Sequence, residues 1–171
     1  MKCYKCNCKA IISIPHLKPV CKRCFEGIIE RRIRKYIRIN KLIKKNDRLI
    51  IKDPICLYFI KKIIKSPVKI VKKNGKEVIP WTLDDECNSF LYNFFKPNFK
   101  IKENNKIKLL RTVTEQELKE FSKIKNIKYN PLNKDRNIEN LLNSLNKKYP
   151  EIKFSLLKCI SNIKEIEKLK K

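Results

Sequence analysis

Apolar residues recur at two spacings along this chain, and the two spacings lay out its elements. Between residues 25 and 45, Phe25, Ile28 or Ile29, Ile33, Tyr36 or Ile37, and Ile43 fall three or four positions apart, which predicts one helix with a single apolar face. Asp53-Pro54 opens a second helix to about Lys65, with proline in the first turn, where its missing N–H costs nothing. A third helix is predicted from Thr82 through Phe95, and further ones over residues 114–125, 137–148 and 152–166. Short β-branched runs stand between them, at residues 9–15, 48–51, 68–71, 77–79 and 107–110, and Asn74-Gly75 reads as a hairpin turn. Strands alternating with helices predict an α/β fold with some parallel pairing. No internal repeat is visible, and 65–67 and 130–137 are the nearest things to linkers.

Composition adds a strong charge. The 171 residues carry 43 Lys+Arg against 17 Asp+Glu, a formal net charge of +26, yet 42% of the chain is hydrophobic, so it is no disordered basic tail. Such a charge implies polyanionic partners, because each cation placed on a phosphate releases a counterion. Lysine with isoleucine and asparagine can simply reflect an AT-rich genome. Arginine is less easily read that way: Arg23, Arg31, Arg32, Arg34 and Arg38 fall within one short stretch, and guanidinium forks phosphate oxygens. On the predicted helix Arg31, Arg34, Lys35, Arg38, Lys41 and Lys45 line the face opposite the apolar one, with almost no acid beyond Glu30 to lace them. Arg23, Arg31, Arg34, Lys35, Arg38 and Lys41 are therefore the candidate nucleic-acid contacts.

The cysteines supply the candidate chemistry. Cys3-x2-Cys6 and Cys21-x2-Cys24 have the spacing of a four-thiolate structural zinc site, each pair closing a tight knuckle. Cys8 and His16 are possible substitute ligands. A closed site organises a fold and leaves no position open for substrate. Only two glycines exist, Gly27 and Gly75, so Walker-type, dinucleotide-binding and kinase-type phosphate loops are excluded. Asp84, Asp85 and Glu86 form the sole carboxylate cluster, and Thr82 before them reads as a helix cap, as does Thr114 before Glu117. His16 is the only histidine, and the sequence offers no complete catalytic constellation. No apolar run reaches the length of a membrane span. With no signal-like N-terminus, a cytoplasmic protein is expected.

Several segments, in order, resemble the archaeal and cytosolic tRNA 2-thiolation proteins, PP-loop enzymes that put sulfur on uridine. Cys3-Tyr-Lys-Cys6 and Cys21-Lys-Arg-Cys24-Phe25 resemble their N-terminal zinc finger and following helix. Lys45-Asn-Asp-Arg-Leu-Ile-Ile51 is similar to the first core strand, and Thr82-Leu-Asp-Asp-Glu86 to a Leu-Asp-Asp-Glu helix. The segment from Ile107 to Leu118 resembles the strand leading into a Glu-containing helix. Tyr149-Pro-Glu-Ile-Lys-Phe-Ser-Leu-Leu157 matches a late family segment.

The chain departs from that family where its chemistry sits. A Ser-Gly-Gly-x-Asp-Ser phosphate loop should follow the first strand, and Lys52-Asp53-Pro54 stands there instead. The family's intervening cysteine pair and second zinc finger are missing, and Asn130-Pro131 replaces a Cys-Pro. The resemblance thus implies a reduced, degenerate PP-loop-type α/β core over residues 47–171, behind a zinc-binding module with its basic helix over residues 1–46. It implies a tRNA-binding, non-catalytic accessory protein with structural Zn2+ and no ATP or iron–sulfur cluster. Asp84 and Asp85 would be cap remnants of an active-site motif. The Cys-Lys-Arg-Cys-Phe form of the second knuckle looks closest to the degenerate second subunit of the eukaryotic system, so an active PP-loop subunit is the expected partner. A zinc-ribbon DNA- or rRNA-binding protein and a free-standing tRNA thiolation enzyme are the alternatives.

Overall fold

Between the two cysteine pairs the chain folds back on itself. β1 (Ile12–Ile14) pairs antiparallel with β2 (Leu17–Val20), a strand that its two lysine-and-proline positions had hidden in the sequence. The computed structural model describes residues 1–97 and 105–169; residues 98–104 and 170–171 of the expected α/β region lie outside the described residues. α1 (Lys22–Ile39) follows, burying Phe25, Ile29, Ile33 and Ile37 as the four-residue spacing requires. It ends several residues before Lys45. Asn40 caps it, Lys41 turns left-handed at φ 47°, and the Leu42 and Lys41 amides donate back to the Ile37 and Arg38 carbonyls. Lys41 and Lys45 therefore lie beyond the helix on which the sequence pattern had placed them.

β3 (Arg48–Ile51) leads through Asp53 into α2 (Pro54–Ile63). β4 (Lys69–Ile70) and β5 (Lys76–Ile79) come next, then α3 (Leu83–Phe94), β6 (Ile107–Lys108), α4 (Glu115–Lys125), α5 (Arg136–Lys148) and α6 (Ile152–Leu169). The four strands β3 to β6 form one sheet in the order β4-β3-β5-β6, parallel throughout. Parallel pairing was expected; the hairpin at Asn74-Gly75 was not confirmed. β4 and β5 flank opposite sides of β3, and residues 71–75 carry the chain around its N-terminal end. Asn74 supplies the left-handed residue, at φ 56°. Gly75 supplies room, because a Cβ there would stand 2.7 Å from the Arg48 carbonyl oxygen and 2.9 Å from Val71 Cγ2. Gly75→Ala is expected to cost about 1–3 kcal/mol, the usual range for forcing a methyl into filled space; urea denaturation gives the value, and an unchanged midpoint would refute the close approach.

One hydrophobic core runs from Cys3 to Phe121. It joins Ile12, Val20 and the α1 stripe to Leu49 of β3, Phe59 of α2, Val78 of β5 and Leu118 of α4. Phe59 and Phe121 meet with ring centroids 4.8 Å apart. A smaller core, of Leu83, Cys87, Ile138 and Leu142, holds α3 and α5 together, with Phe154 and Leu157 of α6 packed against it. No helix among the described residues is long and apolar enough to cross a membrane.

Candidate functional site

The first cysteine pair sits on a tight turn. The Cys3 amide donates to the Cys8 carbonyl and the Asn7 amide to the Cys3 carbonyl, with Asn7 left-handed at φ 60°. The second pair spans the start of α1, where Cys21 is the N-cap residue. The β1–β2 hairpin brings the two together, so that the Sγ atoms of Cys3, Cys6, Cys21 and Cys24 all lie within 4.8 Å of one another. Cys6 Sγ and Cys21 Sγ are 3.5 Å apart. Tetrahedral thiolates on one ion, with metal–sulfur bonds of about 2.3 Å, stand about 3.8 Å apart, so the donor set fits a metal ion. Burial pushes the Cys3 thiol up, but the backbone N–H groups of Cys21, Lys5 and Cys6 outweigh it and bring the pKa down to about 6. Cys24 goes the other way, to about 12, because the Cys6 thiol, burial, and the remaining sulfurs oppose a further negative charge. Four crowded thiols ionise together only around a cation. Cys8 is exposed and outside this cluster.

His16 is not a ligand either. It lies in the hairpin turn with Nε2 3.0 Å from Oε1 of Glu117, a residue fully buried at the start of α4. Arg32 of α1 reaches the same carboxylate, its Nη1 donating at 2.8 Å to both oxygens and at 3.2 Å to the Thr112 carbonyl. Glu117 also closes the capping box with Thr114. Its three donors, His16 Nε2, Arg32 Nη1 and the Thr114 amide, offset burial and hold it ionised below the usual carboxylate range. This tie spans 101 positions of sequence, and no local pattern announces it.

The basic residues of α1 face outward. Arg23, Arg31, Arg34, Lys35 and Arg38 are exposed, as is Lys41 just past the cap. Arg31 donates to the Gly27 carbonyl, whereas Arg32 alone among the clustered arginines turns inward.

The carboxylates at the head of α3 are all engaged. Asp85 forms the capping box with Thr82 and lies 3.2 Å from Lys134 Nζ. Asp84 accepts from the Glu115 amide at 2.7 Å and from Lys153 of α6 at 2.5 Å. Glu86 accepts from Trp81 Nε1 at 2.8 Å and Lys108 at 2.7 Å, and faces Arg111 at 2.9 Å and Lys164 at 3.2 Å. The cavity that Asp84 lines measures about 10 Å³, hardly room for one water. Burial raises the thiol of Cys87 to about 12, helped by the Asp84 charge, and lifts that of Cys56 as well; neither is a thiolate nucleophile at neutral pH.

At the start of α2, Asp53 Oδ1 accepts from the Ile55 and Cys56 amides at 3.0 and 3.1 Å, and Pro54 occupies the first turn. The helix's anion-attracting end is filled by the chain's own carboxylate.

No protein-family model and no curated protein sequence matches this chain. Among solved structures it is similar to U34-tRNA thiolase NcsA from Methanococcus maripaludis, determined with its [4Fe-4S] cluster. The TM-score is 0.69 at 16% identity, over 96% of this chain and 87% of that one. The likeness is one of fold, in keeping with the parallel α/β sheet described above.

Proposed function

We propose that this protein binds tRNA without carrying out thiolation itself, as the accessory partner of an active PP-loop subunit. The observation that carries this reading is the Asp53 carboxylate on the first amides of α2, at the position where the family resemblance calls for a glycine-rich phosphate loop. A nucleotide phosphate would have to displace a charge of its own sign there. Asp84 and Asp85 are cap and cross-link residues over a space too small for a nucleotide. The outward arginines of α1, with no acidic partner among the described residues, suit the sugar–phosphate backbone, where contacts position the protein and read no sequence. The tRNA thiolase named in the fold comparison supports tRNA as the polyanion.

The ion we assign to Cys3, Cys6, Cys21 and Cys24 is structural zinc. A [4Fe-4S] cluster takes one thiolate on each of four irons and spreads its sulfurs farther than a single ion does. Sulfurs all within 4.8 Å favour the single ion. Metal analysis of protein purified without added iron distinguishes the two.

In the test of function, Arg31, Arg34 and Arg38 are changed together to alanine and tRNA binding is followed against salt. Affinity is expected to fall at least tenfold at low salt, and the slope of log K against log salt to lose about 2 to 3 of its magnitude. The wild-type protein alone is expected to consume no ATP on tRNA and to copurify from its host with a full-length PP-loop enzyme. ATP-dependent thiolation by the isolated chain would overturn the reading. Equal affinity for duplex DNA and tRNA at matched salt would favour the zinc-ribbon alternative.

A further inference from the structure

A groove separates the β1–β2 hairpin from the start of α6. It holds a cavity of about 710 Å³ under the hairpin and one of about 370 Å³ beside it, with His16 and Glu151 as their common wall. These sizes are those of ligand sites. The smaller cavity is lined by Arg32, Thr112, Phe154 and Leu157 in addition to those two. The Phe154 ring lies 5.0 Å from the His16 ring and 5.3 Å from the Arg32 guanidinium carbon. All of Arg32's hydrogen bonds among the described residues run through Nη1, which leaves Nε and Nη2 to donate. Thr112 Oγ1 is buried with no hydrogen-bond partner among the described residues. Glu151 adds a carboxylate acceptor on the rim.

From this arrangement we infer that the groove receives one unstacked nucleobase of the bound RNA, laid against Phe154 with its polar edge toward Arg32, Thr112 and Glu151. The inference rests on the RNA-binding reading above. A base fits better than a phosphate because the charge of Arg32 is already matched by Glu117 and Glu151 adds a negative one; an anion would prefer the unmatched arginines outside. A base offers a flat face for the aromatic ring and both carbonyl and N–H groups on its edge, which complement guanidinium and carboxylate. The strand has a path inward, since Lys35 on the exposed face of α1 lies three residues from Arg32. On the far side Pro15, Pro19 and Pro150 line the larger cavity and give apolar surface for a neighbouring base.

The test uses the full chain and two single-stranded RNAs of equal length, one normal and one abasic, which keeps every phosphate and loses every base. The wild-type protein is expected to bind the normal strand about tenfold more tightly. Phe154→Leu keeps an apolar side chain and removes the ring, and Thr112→Val keeps the size of the side chain and removes the hydroxyl; each is expected to lower that preference toward parity while leaving abasic affinity unchanged. The triple arginine variant should weaken both strands alike. A bromouridine-bearing strand irradiated on the wild-type protein should crosslink within residues 150–157, a readout independent of how the variants fold. Equal wild-type affinity for the two strands, or crosslinks confined to α1, would overturn the groove and leave RNA binding standing. Failure to bind either strand at low salt would remove both.

Discussion

Cys21→Ser, or removal of the metal by a chelator, is expected to unfold far more than the first two dozen residues. Cys21 is at once a member of the thiol cluster and the N-cap of α1. The stripe of Phe25, Ile29, Ile33 and Ile37 shares one core with β3, α2 and α4. Once the cluster is lost, α1 loses its anchored start, and the packing that depends on its angle loosens with it. Structural zinc supplies on the order of 10 kcal/mol to small modules, so a loss above about 4 kcal/mol is anticipated here. At this chain length, where each kcal/mol shifts the midpoint by about 2–4 °C, melting should fall by more than about 8 °C. Cys8→Ser, outside the cluster and exposed, should change nothing. Circular dichroism melts with and without chelator decide it; a midpoint indifferent to chelation would mean that the cysteines hold no structural metal.

The second large effect concerns Glu86. Burial raises its pKa, but Arg111, Lys108 and Lys164 outweigh burial and bring it from an ordinary 4.5 to about 2. The unfolded chain therefore binds this proton more readily than the folded one. The stabilisation is complete above about pH 4.5 and is lost as pH falls through the interval down to about 2. Glu86→Gln leaves three cations around a neutral group, and removing one partner of a buried ionic cluster costs about 3–5 kcal/mol. Urea unfolding of both proteins across that acid interval should show a wide gap near neutrality, narrowing as wild-type Glu86 itself becomes neutral. A gap independent of pH would place the cost in shape and not in charge.

What the sequence disclosed and what it hid divide along the range of the interactions. The α1 stripe, the Asp53, Thr82 and Thr114 caps and the paired cysteines are all set within a few residues, and each was legible as spacing or as a cap signature. The end of α1 was misjudged because a lysine holds the left-handed position that glycine usually marks. Asn74-Gly75 misled in a related way. Its glycine answers to the approach of Arg48, twenty-seven residues upstream, and not to a turn. The His16–Glu117–Arg32 tie and the cations around Glu86 join segments that only tertiary packing brings together. In a chain with 43 basic residues no single lysine or arginine stands out as a partner. The groove wall formed by Phe154 was invisible for the same reason.

The shared core also orders events at the ribosome. The cysteines that could hold an ion are complete at Cys24, whereas Phe121, the last member of the core that the α1 stripe shares, is made 84 residues after Ile37. At about 5–20 residues per second, the core that the nascent α1 shares stays incomplete for roughly 4 to 17 seconds. During that interval α1 is a cationic amphipathic helix beside ribosomal RNA, its apolar stripe covered only in part. Timely synthesis of the α/β body is thus what completes the cover of that stripe.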